Sequence, residues 1–407
     1  MKLNTHSWSH NDKAVNLLNL FKYLNYKELE NTAKYVVFEK QSKYYVVVKT
    51  EKGYVYYKTD RPKEKLKGTD IIKTFVSSIE TKSNSSIWSK IDSKYKEYLD
   101  SGEDLQQSKN LEIVPTGFNH FLEMNLPVES PEDSLYRDIM NDPQLEDRIY
   151  QDTEGKILFP LYNNDKSVCG YLTDHGKSVT AYKHTRLDEG IWFNKIPKKI
   201  EQILVFKDPK EAIAFYSNFK LDNTLYVACS NINYTTTKML FDIKKASKSK
   251  EFIVSFTGTK KINGYLQDLN FVSFLREDDF NISIRGDHMY LVFKKPEEKI
   301  FAKFYRKVVE FNESISKEYI RFNQITNQPL VQKNSIIPKR LEDGNIVCIV
   351  PLEVNAIKFI TWAYFKFFLA KEMGILKPKE NNWYAQYQKL TSNNEKVDTY
   401  EEFRLAM

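Results

Sequence analysis

The sequence predicts an α+β protein built from several modules. Between residues 203 and 270, short apolar runs alternate with helical periods, the pattern of parallel strands joined by helices. Short β-branched and aromatic runs cluster near the N-terminus, and long helical periods fill residues 298–407. A chain of 407 residues is long enough for two or three domains with buried cores.

Taken in order, residues 12–30 read as an amphipathic helix capped by Asn11 or Asp12. Three strand-like runs follow at 35–39, 44–49 and 54–58, with Glu51-Lys52-Gly53 as the second turn. Residues 68–80 form a helix started at Thr69 or Asp70, and 86–100 form another. Residues 103–156 are acidic and expected to be mainly helical, with breaks at Pro127, Pro131 and Pro143. Runs at 157–163, 168–174, 179–184 and 191–194 suggest an antiparallel meander. Strands at 203–206, 225–228 and 252–256 then alternate with helices at 209–219, 235–246 and 262–270. The remainder supplies long helices and one strand, 346–351. The expected domains are 1–102, 103–156, 157–297 and 298–407. Helix 353–373 is apolar around most of its circumference, which suits a core helix or, alternatively, a subunit interface.

Composition narrows the function classes. The net charge of +7 is unevenly spread: residues 1–100 hold 19 Lys and Arg against 12 Asp and Glu, whereas 101–150 hold 3 against 11. A basic head, an acidic middle and a basic tail suit contact with a polyanion at two places, or simply a solvated lysine-rich surface. The three cysteines, Cys169, Cys229 and Cys348, are far apart and lie in apolar runs. They are expected to be buried small hydrophobes rather than zinc ligands. His6 and His10 have helical i, i+4 spacing but no third ligand nearby. The N-terminus lacks the apolar core of a signal peptide, and the most apolar stretch, 356–370, is short and interrupted by Lys358 and Lys366. The expected location is the cytoplasm, with no membrane contact. No Walker loop or nucleophile elbow occurs, although Phe256-Thr257-Gly258-Thr259-Lys260 faintly suggests a phosphate loop.

Two constellations carry candidate chemistry. In the N-terminal runs Lys43, Lys52, Tyr54, Tyr56 and Lys58 interleave cations with aromatics. Alternate strand residues share a face, so Tyr54 and Tyr56 present together, either to a single-stranded nucleic acid or to a mini-sheet core. In the strand-helix alternation, Asp208 and Glu211 are spaced i, i+3, and Asp268 lies in a later helix. They could hold a metal, or be no more than charges near helix starts.

The run ILFPLYNNDKSVCGY, followed by GIWFNKIPKKIEQILVFKDPKEAIAFYSNF, resembles the entry to a toprim domain of the primase-like, mobilisation-type proteins. The N-terminal part is similar to the zinc-ribbon module of bacterial primases: a short helix, a small sheet, then a helix running from Gly68 to Phe75. The resemblance covers about two-thirds of the chain. It implies a Glu after the first strand and an Asp-x-Asp after the third, which together hold magnesium. Here those positions fall on Lys207 and on Thr257-Gly258-Thr259, and the usual Gly after the second strand on Ser230 or Asn231. The ribbon stretch has neither Cys nor His. The resemblance therefore implies a degenerate site without metal or cofactor, and Lys207, Lys210, Lys260 and Lys261 become candidate phosphate ligands. The leading expectation is a non-catalytic, nucleic-acid-associated protein, DNA before RNA, with protein partners in a mobile-element, replication or defence complex. The alternatives are a protein-interaction subunit and a metal-dependent primase or nuclease with relocated acids.

Overall fold

The computed structural model describes residues 15–79, 87–124, 133–137, 139, 141–249, 251–274, 280–323, 333–368, 373–393 and 399–405. The architecture is α+β, with four mostly antiparallel sheets among the described residues. The chain divides into two compact units. One holds residues 1–125, 165–171 and 181–186, and the other 126–164, 172–180 and 187–407.

The first unit is built on four antiparallel strands in sequential order: β1 (Lys27–Asn31), β2 (Tyr35–Lys40), β3 (Lys43–Thr50) and β4 (Gly53–Lys58). The last three match the expected runs. The helix expected over 12–30 is shorter, spanning Leu17–Tyr23, and β1 takes its second half. Asn16 caps it by accepting from the Leu18 amide. Asn25, with φ near +58°, turns the chain out of the helix and into β1. The proposed caps Asn11 and Asp12 lie outside the described residues. Helices Gly68–Ile79 and Ile87–Asp100 form as expected.

Both faces of this sheet are covered. Val36, Phe38, Tyr45, Val47 and Tyr56 alternate onto the face that packs against Leu17, Leu20, Phe21, Ile71, Ile72 and Tyr98. Tyr35, Val37, Val46, Val48 and Tyr57 take the other face and pack against Val114 and Phe118. That second cover comes from the acidic segment, which corrects the expectation of a mainly helical stretch over 103–156. Its described part has only short helical turns, at Glu103–Leu105, His120–Met124 and Ser134–Arg137. Residues near 113 run extended, with the Glu112 and Val114 amides donating to Ala33 and Lys49 carbonyls. A backbone tied to the sheet in this way cannot also make helical bonds.

The second unit contains the expected parallel layer. Strand β10 (Gln202–Phe206) pairs in parallel with β11 (Thr224–Ala228) on one side and β12 (Glu251–Ser255) on the other. The connecting helices are Pro209–Phe219 and Tyr234–Ser247, and Lys261–Ser273 follows β12. Of the expected meander, β6 (Ile157–Tyr162), β7 (Val168–Asp174) and β8 (Val179–Tyr182) make one sheet, joined by an unexpected strand, β5 (Tyr150–Gln151), from the end of the acidic segment. The run near 191 is corrected to another place: β9 (Trp192–Phe193) pairs antiparallel to β11 at the edge of the parallel layer.

The C-terminal region is mainly helical, as expected, and a further antiparallel sheet begins just before it. Strands β13 (Phe280–Arg285), β14 (His288–Phe293), β15 (Ile337–Arg340) and β16 (Ile346–Pro351) make an antiparallel sheet of order β13-β14-β16-β15. Strand β17 (Gly374–Ile375) returns to pair in parallel with β12. Helix Val354–Ala363 packs on helix Lys261–Ser273 and buries Ala356, Ile357, Ile360 and Ala363, the core-helix reading of that segment. Cys169, Cys229 and Cys348 are buried, and none is in a disulfide. Among the described residues, no helix is long and apolar enough to cross a membrane.

Candidate nucleic-acid interface

The parallel layer reverses its winding at β10. The chain goes from β10 to β11 on one side, then crosses to β12 on the other. In such sheets the crevice outside the carboxyl ends of the strands is where ligands bind. Phe206 and Ser255 are in register, so the residues after them, Lys207 and the loop from Phe256 to Lys260, share that edge.

Lys207, Thr259, Lys260 and Lys261 are all exposed there. Lys210 is not, which corrects its place among the phosphate ligands. Its ammonium is buried, 2.9 Å from Asp174 Oδ2 and 2.9 Å from the Gly176 carbonyl, with Asp133 Oδ2 at 3.6 Å. It also lies 3.8 Å over the Tyr384 ring. An ammonium so engaged is spent inside the protein.

The three acids considered for a rebuilt metal site are each committed elsewhere. Asp208 caps helix Pro209–Phe219 by accepting from the Glu211 amide at 3.0 Å. Burial pushes its carboxyl upward from the usual range. Glu211 Oε2 accepts from the Trp383 amide at 2.8 Å and the Thr257 hydroxyl at 3.2 Å. Burial first, and the neighbouring Asp208 charge second, push the Glu211 carboxyl up to about 8. Asp268, fully buried, pairs with the Lys377 ammonium at 2.6 Å and accepts from the Phe256 amide at 3.3 Å. Burial raises its carboxyl to about 6, against the pull of Lys377. Among the described residues, no group of three or more His, Cys, Asp or Glu is placed to hold a metal ion.

Thr257 is buried by its bond to Glu211, while the Thr259 hydroxyl accepts from Asn263 Nδ2 at 3.1 Å. The loop between them hugs the next helix. A Cβ on Gly258 would lie 2.6 Å from the Asn263 Cβ, and one on Gly264 would lie 2.6 Å from the Phe256 carbonyl oxygen. Lys260 is the N-cap of helix Lys261–Ser273 and offers its first turn no side-chain acceptor. A cleft of about 230 Å³ opens here, lined by Thr257, Gly258, Lys261, Tyr265, Lys377 and Lys379 among others.

Lys377, Lys379 and Trp383 escaped the sequence reading. They arrive on the segment after β17, and Lys377 donates to the Phe256 carbonyl from 121 residues away in sequence. The Trp383 indole donates to Ser255 Oγ at 2.8 Å. No local spacing signals such a return; the only hint is a short Lys-Pro-Lys run after an apolar pair.

In the first unit, Tyr54 and Tyr56 do share a face, but it is the inner one. Tyr56 is fully buried, and Tyr54 packs half-buried against the same core. Lys43 and Lys52 are exposed at opposite ends of β3, about 25 Å apart at strand rise, and Lys58 is half-buried beside Tyr45. The five residues therefore do not form one open binding face. Lys52 and Tyr54 instead join Lys65, Lys67 and Tyr95 around a cleft of about 730 Å³. Burial pulls the Lys65 ammonium down to about 8, and it donates to the Phe118 carbonyl at 2.7 Å.

No family model matches this chain, and no curated protein matches it.

Proposed function

We propose that this chain is a non-catalytic, nucleic-acid-associated protein whose toprim-like α/β layer meets phosphate through lysine rather than through a bound metal. One observation carries the reading. At the carboxyl edge of β10 and β12, Lys207, Lys260 and Lys261 face solvent, while the nearby acids Glu211 and Asp268 are buried and occupied. An edge with exposed cations and withdrawn carboxylates favours a polyanion over a divalent cation. The reading extends to a role as a subunit of a mobile-element, replication or defence complex, with DNA preferred to RNA and with protein partners.

The test is equilibrium binding of the full chain to single- and double-stranded DNA and RNA, with magnesium and with a chelator. Binding that weakens with salt and ignores the chelator is expected. Binding or strand cleavage that requires magnesium would overturn the proposal in favour of a metal-dependent enzyme. Salt-independent failure to bind any nucleic acid would leave a protein-interaction subunit.

A further inference from the structure

We propose that the outer face of the C-terminal sheet, of order β13-β14-β16-β15, is a platform for single-stranded nucleic acid. This rests on the nucleic-acid reading above and adds a second surface to it, one that takes unpaired bases as well as phosphate.

The register divides the sheet into two faces. Residues opposite one another on antiparallel strands share a face, and successive residues alternate. Leu291 and Cys348 are opposite each other and fully buried. Phe293, on the same face, stacks on Phe368 at 4.6 Å and lies 5.5 Å from Phe304. Helical chain therefore covers this inner face. The outer face carries Tyr290, Val292, Val347 and Ile349 on the two central strands, all half-buried, with Ile337 and Lys339 exposed on β15.

Charge decides what such a face would meet. None of the four strands contains an Asp or a Glu. Arg285 ends β13 on the outer side, opposite His288, and is exposed. Its guanidinium lies 5.5 Å from the centroid of the Tyr290 ring. Lys339 is on the other edge strand, three strand spacings or about 14 Å away across the sheet. The remaining strand cation, Arg340, alternates to the inner side and meets Glu298 at 3.5 Å. The acids of the turns are set apart from the face. Asp287 is held by His288 at 2.6 Å and Lys333 at 3.3 Å, and Asp343 accepts from the Asn345 amide at 2.9 Å. Glu342, beside it, stands at the end of the sheet where Lys294 and Lys295 follow β14.

An acid-free sheet face with a cation on each edge complements a polyanion. A neutral apolar partner would leave both edge cations without a role. A nucleic-acid strand crossing the sheet gives each of them a phosphate, and lays bases on the Tyr290 ring, the Arg285 guanidinium plane and the apolar side chains between the edges. A duplex keeps its base faces stacked inside, so this surface selects the single strand.

The experiment measures binding of the full chain to a fluorescein-labelled oligothymidine strand, and to the same strand annealed to oligoadenosine, by anisotropy over a range of salt. Tyr290→Ala is expected to weaken single-strand binding about tenfold and to leave duplex binding unchanged, while Tyr290→Phe keeps the parental affinity. Arg285→Ala with Lys339→Ala should flatten the salt slope for the single strand by about 1.4, or about 0.7 for each phosphate. Both of these residues are exposed, so their change tests the face even where loss of the half-buried Tyr290 ring disturbs folding. Parental single-strand affinity and slope in these variants, at an unchanged melting temperature, would overturn the platform and leave the lysine edge standing. Weakened self-association in the variants, in place of weakened strand binding, would also overturn it and assign the face to a second copy of the chain. Failure of the parent chain to bind either oligonucleotide would overturn this proposal and the broader reading together.

Discussion

The sheet of the first unit and the parallel layer of the second both carry lysines among aromatic and apolar residues, yet they use them differently. In the first, chain on both sides covers the strands, so Tyr56 and Tyr57 are core and the lysines are left at turns and rims. In the second, the strands are equally buried but end together, and the residues just past Phe206 and Ser255 have no strand to continue. Lys207 and Lys260 are exposed for that reason. An interleaved Lys and Tyr pattern on a strand reports its inner face as readily as a binding face. A Lys that follows directly on a parallel strand reports an edge.

The largest expected effect separates core from edge. Tyr56→Ala should cost about 3–5 kcal/mol of unfolding free energy, because it removes a fully buried aromatic ring. Lys207→Glu should stay within about 0.5 kcal/mol of the parent. Urea unfolding of both variants checks this, and a mild Tyr56→Ala would mean that the inner face is not core.

A smaller effect contrasts the units by pH. Glu211 is raised from 4.5 to about 8, so the folded chain holds a proton there that the unfolded chain releases. Stability from this group is therefore full below pH 4.5 and lost as pH rises towards 8, with a slope of at most about 1.4 kcal/mol per pH unit. Asp208 is shifted in the same direction. His120 runs the other way. Burial lowers it from 6.5 to about 3, so its neutral form stabilises the fold above pH 6.5 and that contribution fades as pH falls towards 3. Glu211→Gln keeps an acceptor for the Trp383 amide and the Thr257 hydroxyl, and should flatten the alkaline side of the stability profile. His120→Gln should flatten the acid side. Unchanged profiles in both variants would contradict these assignments.

The smallest expected effect is none. Residues 27–58 contain no Cys and no His, so a chelator should leave the melting temperature of the full chain unchanged. Stoichiometric zinc in the purified protein, with a lower melting temperature after its removal, would reverse that expectation.

What was legible in the sequence was local. Strands β2, β3 and β4 carry dense β-branched and aromatic runs, and β10, β11 and β12 alternate with amphipathic helices, so period and punctuation sufficed. Strand β1, KELEN, has no such signal; it exists because Asn25 turns the chain beside β2. Strand β17 is two residues long and owes its place to the edge of β12. The candidate site divides along the same line. Lys207, Thr257, Lys260 and Lys261 follow strands that could be read. The withdrawal of Lys210 onto Asp174 depends on long-range contacts, as do the Lys377–Asp268 pair and the Trp383–Glu211 bond. Composition and spacing do not encode those.

On the proposed function, phosphate is met at the carboxyl edge of the parallel layer and not on the four-stranded sheet of the first unit. The most direct measurement is the slope of log K against log salt for duplex DNA, taken on the parent chain, on Lys207→Glu with Lys260→Ala, and on Lys43→Ala with Lys52→Ala. The first pair is expected to flatten the slope by about two, one for each lost phosphate contact, while the second pair is expected to leave it within experimental error of the parent. A slope unchanged by the first pair and flattened by the second, with both variants melting normally, would move the interface to the first unit.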